Sequence, residues 1–133
     1  MSVREVITHY YACVNAGDWA GWLELFDEHI VMDEQLGGHV EGLETLRGMV
    51  GGLMRPYASF QNHPRHIVIE GNQACVVSHI SAVSAGGEPI EAEVSNYFVI
   101  QEGRITYLAN FHDSRPFDPI FAPRSSGGRA EGA

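Results

Sequence analysis

Four positions in this chain carry side chains suited to proton chemistry: Tyr10, Glu34, Asn96 and His112. From 30 to 36 the apolar Ile30, Met32 and Leu36 alternate with Val31, Asp33 and Gln35, which puts Glu34 on the apolar face of its strand. A carboxylate forced into apolar surroundings resists ionisation, so its pKa rises and it becomes a usable base near neutral pH. The position also admits a structural reading, in which Glu34 turns to water at a strand end or pairs with an arginine such as Arg47. Tyr10 sits in the middle of an apolar helical stripe, so its hydroxyl must find a partner in the interior or in a cavity. Asn96 shares a strand face with Val94, Phe98 and Ile100, which leaves an amide among apolar side chains in need of donors or acceptors.

A second cluster closes the last strand. If Asn110 and His112 keep the phase of Leu108, His112 points inward and Asp113 outward, where Asp113 serves the rim or partners Arg115. His79, between Ser78 and Ile80 in a long strand, is either a third pocket group or a histidine on the sheet surface. His63 and His66 have metal-compatible spacing, but no carboxylate or thiolate completes a set and Pro64 lies between them, so they read as loop histidines. No Gly-x-Ser-x-Gly elbow and no glycine-rich phosphate loop is present. No metal and no cofactor is expected.

These residues need elements to hold them. Ser2-Val3-Arg4-Glu5 is a capping box, opening a stripe of Val3, Val6, Ile7, Tyr10, Tyr11 and Val14 that stops at Gly17. Asp18 caps a second, short helix through Phe26 with Trp19, Trp22, Leu23 and Phe26 as its buried side. The strand with Glu34 follows, then a turn at Gly37-Gly38, a short return segment and a third helix from Leu43 that ends before Pro56. Three extended stretches come next, about 66–70 leading into 73–84, then 88–101 and 104–112, separated by Gly71-Asn72, Gly86-Gly87 and Glu102-Gly103. Helices first and a meander last is the α+β pattern: a cone-shaped, curved, mainly antiparallel sheet around three N-terminal helices. Residues 1–118 read as one domain, and 119–133, without apolar periodicity, as a flexible tail.

The totals restrict function. At 133 residues with 44% hydrophobic content the chain can bury a core without staples. A formal charge of −9 repels phosphate backbones and anionic lipid, so neither nucleic acid nor a membrane is an expected partner. No apolar run approaches a membrane span, and residues 1–20 lack the pattern of a signal peptide. Cys13 and Cys75 read as reduced, buried thiols, which together with the missing signal predicts a cytoplasmic protein.

The segments from Tyr10 to Asp18, Leu25-Phe26 and Met32 to Gly37 resemble the opening of bacterial ketosteroid isomerases. More broadly, residues 3–113 resemble the nuclear transport factor 2-like superfamily, which includes SnoaL-type polyketide cyclases, scytalone dehydratase and limonene epoxide hydrolase. The resemblance implies that Tyr10 and Asn96 donate to an oxyanion while Glu34 abstracts a proton; that isomerase mechanism is an established example of pKa tuning. Glu34 and Asn96 both stand where those isomerases carry aspartate, so the substrate need not be a steroid. The resemblance to SnoaL-like cyclases implies an alternative in which His112 or Asp113 acts as acid or base. An epoxide hydrolase would need an arginine between carboxylates, and the inner phase of 94–100 offers none. The expected activity is cofactor-free isomerisation or cyclisation of a hydrophobic carbonyl or polycyclic substrate, with Met32, Trp22, Phe98, His79 and Asp113 as contacts to it. A non-catalytic ligand-binding or interaction domain is the alternative from another class, and a homodimer through the convex sheet face is the expected assembly.

Overall fold

The computed structural model describes residues 1–121. Helix α1 (Val3–Ala16) begins at the capping box, where the Glu5 N–H donates to Ser2 Oγ at 3.1 Å and the Ser2 N–H to Glu5 Oε1 at 2.8 Å. It ends at Gly17, whose left-handed φ of 69° lets its N–H return to the last turn. Val6, Ile7, Tyr10, Tyr11 and Val14 form its buried stripe.

Asp18 caps α2 as expected, accepting from the Gly21 N–H at 2.9 Å, but α2 (Trp19–Leu23) is only five residues long. Phe26 belongs instead to β1 (Phe26–Glu34), where it pairs with Ile105, so backbone pairing across the sheet overrides the helical spacing of Trp22 and Phe26. A short β2 (Gly38–Glu41) returns against β1, and α3 (Leu43–Met54) runs through Gly51 and Gly52. Three long strands follow: β3 (Tyr57–Glu70), β4 (Gln73–Ser84) and β5 (Pro89–Gln101). Strand β6 (Arg104–Phe111) leads into one 3₁₀ turn (Arg115–Phe117) and α4 (Asp118–Phe121).

Two expectations fail here. Residues 57–65 are strand, and His63 and His66 lie on β3 rather than in a loop. Pro64 is accommodated because β3 is an edge strand and its register shifts between Pro64 and His66. Residues 119–121 are helical, not tail; 122–133 lie outside the described residues.

The six strands form one curved sheet in the order β2-β1-β6-β5-β4-β3, with β1 parallel to β6 and every other pair antiparallel. Even-numbered residues of β4 and β5 face inward and are buried, while their odd-numbered neighbours face outward. The larger apolar cluster fills the space between helices and sheet, with Phe26, Ile30, Phe98 and Ile105 wholly buried. A second cluster gathers Ile80, Ile90, Val94 and Phe117 under the C-terminal turn. The thiols are free but not both buried: Cys13 is half-buried, and Cys75 is exposed because its odd-numbered position turns it outward. Among the described residues no helix is long and apolar enough to cross a membrane, and no cluster of three or more His, Cys, Asp or Glu is arranged to hold a metal.

Candidate active site

A cavity of about 220 Å3 opens between the helices and the inner sheet face, and both apolar clusters supply its walls. Tyr10 enters from α1, Trp22 from α2, Met32 and Glu34 from β1, Asn96 from β5, Asn110 from β6 and His112 from just past its end. Strand phase explains the convergence. Met32 pairs with Leu108, Leu108 with Phe98, and Asn96 with Asn110, so one inward register runs through three adjacent strands.

Glu34 takes the N–H of Gly37 on its Oε1, closing the turn into β2. It does not pair with Arg47, which lies 3.3 Å from Glu44 instead. Gly37 is packed so closely that a Cβ there would fall 2.5 Å from Glu34 Oε1 and 3.5 Å from Leu53 Cδ2. Burial pushes the Tyr10 phenol well above its ordinary value; the Trp22 indole N–H opposes this and the negative charge of Glu34 adds to it. That N–H lies near Tyr10 without hydrogen-bond geometry, since Trp22 Nε1 is buried with no partner among the described residues. Tyr10 also meets Phe98 edge to face, with ring centroids 5.1 Å apart.

Asn96 is held firmly and in an unexpected sense. Its Nδ2 donates to the Val76 carbonyl at 3.0 Å and to Ser78 Oγ at 2.9 Å. Both amide hydrogens are engaged inside the sheet, so the donor role toward an oxyanion is not supported by this arrangement. His112 stands at the cavity wall against Phe117, ring centroids 4.8 Å apart, and its Nδ1 is 2.7 Å from the Asp113 carbonyl oxygen. A carbonyl can only accept, so Nδ1 carries a proton, and in the neutral imidazole Nε2 then holds the lone pair.

Three expected contacts fall outside the cavity lining. Phe98 is wholly buried behind Tyr10 and serves the core. His79 occupies an outward position of β4, 2.6 Å from Glu91 and also bonded to Glu93, which together raise its pKa. Asp113 is exposed and accepts the Arg115 N–H at 2.9 Å, fixing the turn after β6. One group was overlooked in the sequence. Tyr57 lines the cavity, and burial followed by the charge of Glu34 raises its pKa to about 12. Phe60 and Asn62 share an inward phase opposite Ala82 and Ile80, and the register shift between Tyr57 and Ser59 brings Tyr57, opposite Ser84, onto the same face, which strand periodicity alone does not signal.

A curved sheet wrapped on N-terminal helices around an apolar, polar-tipped cavity defines a cystatin-like α+β protein of the nuclear transport factor 2-like class. The family model described as SnoaL-like domain matches residues 7–108, and the chain belongs to that family. No curated protein matches the sequence. Among solved structures, an NTF2-like protein of unknown function from Burkholderia pseudomallei superposes with a TM-score of 0.82 at 14% identity, covering 90% of this chain and 98% of that one. TerC, co-crystallised with polyporic acid, is similar with a TM-score of 0.81 at 17% identity over 90% and 98% of the two chains. A protein assigned as a SnoaL-like polyketide cyclase from Jannaschia has a TM-score of 0.78 at 16% identity over 91% and 92%. At such identities the likeness is one of fold.

Proposed function

We propose that this protein is an acid–base enzyme that moves a proton on a carbonyl compound held in the apolar cavity, as an isomerase or cyclase. Glu34 is the base, and Tyr10 donates to the carbonyl oxygen as negative charge develops there. The observation that carries this reading is that Glu34 and Tyr10 line one cavity, close enough that the charge of Glu34 acts on the phenols of both Tyr10 and Tyr57. A phenol with a raised pKa stays protonated and can donate across the working pH range. The cavity, at about 220 Å3, is below the ~300–1,000 Å3 usual for drug-sized ligands, which favours a compact one- or two-ring substrate. The presence of polyporic acid in the TerC structure supports a cavity of this fold that accepts an organic molecule. We also propose a homodimer through the outer sheet face, a reading supported by the exposed Val68 and Phe111 and testable by sedimentation analysis.

The assay mixes protein with a β,γ-unsaturated ketone and follows the conjugated enone by absorbance. Glu34→Gln keeps the shape and removes the base, so kcat is expected to fall by about 10²–10⁴-fold. Full activity in that variant rejects Glu34 as the base.

A second reading is favoured by His112, which borders the cavity and whose Nδ1–H is held by the Asp113 carbonyl, so that the neutral ring offers Nε2 as an acceptor. Here His112 removes the proton and Glu34 orients the substrate. Comparing Glu34→Gln with His112→Ala on one substrate separates the two, because the base is the residue whose loss abolishes the chemical step while binding persists.

A further inference from the structure

Asn96 is 3% exposed, opposite Val76 on one side and Asn110 on the other. The Val76 carbonyl cannot donate, so the 3.0 Å contact identifies the near end of the amide as nitrogen. The second amide hydrogen goes to Ser78 Oγ. Asn96 Oδ1 therefore faces its surroundings as an acceptor, receives no hydrogen bond from any of the described residues, and belongs to a side chain that borders the cavity. Asn96 Oδ1 is not among the fully enclosed unpaired atoms of the described residues; once a ligand seals it from water it is costly until an O–H or N–H meets it, and it repels a second oxygen that carries charge.

The geometry points to Asn96 as a specificity residue that accepts a hydrogen bond from a hydroxyl of the substrate, so that the substrate is a hydroxylated carbonyl compound, phenolic or enolic, rather than a bare ketone. This rests on the proposed function only for the location of the substrate. Tyr10 and Asn96 divide the work: the phenol donates to the carbonyl oxygen, and the amide oxygen selects the neutral hydroxyl. Ser78 and the Val76 carbonyl are the positioning groups, since together they prevent the amide from turning its hydrogens toward the ligand. A site that reads a hydroxyl in this way discriminates against an isostere lacking it, because the buried acceptor is then left unpaired.

The test uses a naphthol and the fluoronaphthalene with fluorine in the same place, titrated calorimetrically into the Glu34→Gln protein. That background removes both turnover and the carboxylate charge that would repel an ionised ligand. Below the ionisation of the naphthol, it is expected to bind about five- to tenfold more tightly than its fluoro analogue, the worth of one neutral hydrogen bond. With Tyr10→Phe added, so that no phenol can donate to the anion, its affinity falls as pH rises through its own pKa, because the anion has no proton to donate. Asn96→Leu removes the preference and leaves the fluoro analogue within about twofold, with a thermal melt confirming the fold. Binding that strengthens on ionisation in the protein lacking the Tyr10 hydroxyl makes Asn96 a donor and overturns the inference. Equal affinities in the starting protein, a preference that survives Asn96→Leu, or no naphthol binding up to its solubility limit also overturn it. The pH arm requires no substitution at Asn96. Loss of the base role in the turnover assay with the naphthol preference intact rejects the proposed function alone; the converse result rejects this inference alone.

Discussion

The two faces of the sheet treat polar side chains in opposite ways. Outside, acids, bases and hydroxyls satisfy one another: Tyr107 donates to Asp33 at 2.6 Å, Asp33 reaches His39, and His39 reaches Glu41 at 2.8 Å. His79 is likewise clamped by Glu91 and Glu93, and Ser81 donates to Glu91 at 2.7 Å. Inside, the polar groups are fewer and incompletely matched. Glu34 has only the Gly37 N–H among the hydrogen-bond donors of the described residues, and Trp22 Nε1 has none of the acceptors. Perturbed titration occurs on both faces, but for different reasons. Mutual pairing lowers Asp33 and raises His79 in open surroundings, whereas burial comes first for Tyr10 and Tyr57. A shifted pKa therefore locates a site only when its cause is burial beside a cavity.

Matched substitutions on the two faces should break or sharpen that contrast. The largest effect is expected for the tyrosines. Tyr10→Phe should lower kcat on the assay substrate by about 10²–10³-fold, as for loss of one oxyanion donor. Tyr107→Phe, which opens an outer-face hydrogen bond, should leave kcat within about twofold. Equal losses would erase the functional distinction between the faces.

Gly37→Ala comes next. Its new Cβ would meet Glu34 Oε1 at 2.5 Å, and because the obstacle is the far end of a flexible side chain the carboxylate should swing aside. Displacement of the base by about an ångström is expected to lower kcat by roughly 10–100-fold. The midpoint of thermal unfolding should barely move, and a midpoint that fell steeply with unchanged kcat would show that Gly37 serves the turn rather than the base.

The smallest effect belongs to His79. Its carboxylate partners raise its folded pKa above the ordinary histidine value of ~6.5, so the protonated form is favoured by folding. That contribution is fully present below the ordinary value and disappears as pH rises through the raised one. The wild-type Tm should exceed that of His79→Gln by only about a degree or two near pH 6, and the difference should close as pH rises through the raised pKa. A difference that widened with pH would mean that His79 is held neutral.

Phase was the legible part of this molecule. The inward placement of Tyr10, Met32, Glu34, Asn96 and His112 follows from periodicities of 3.6 and 2, which the backbone imposes locally. The same rule, applied to Val76, Ile80 and Ala82, already sets His79 outward, and it fails for Phe98 only because an inward residue can face core instead of cavity. Where local signals compete, distant partners decide. Phe26 fits a helix with Trp22 until Ile105 claims it for the sheet, and Tyr57 was obscured by a register shift between Tyr57 and Ser59. The direction of the Asn96 amide was beyond sequence reasoning because it depends on the Val76 carbonyl, a group every residue possesses.

The single parallel pairing, β1 with β6, makes the site a late product of the chain. Glu34 is made early, yet its strand is flanked on one side by residues seventy-odd positions later, and the Gln35 N–H waits for Asn110 Oδ1 at 2.8 Å. A growing polypeptide holds the base, and Tyr10 that precedes it in sequence, long before it holds the wall that confines them. Closure of that loop places the entropic cost of folding at the cavity itself, so the cavity forms with the slowest, most non-local contacts of the molecule and is lost with them.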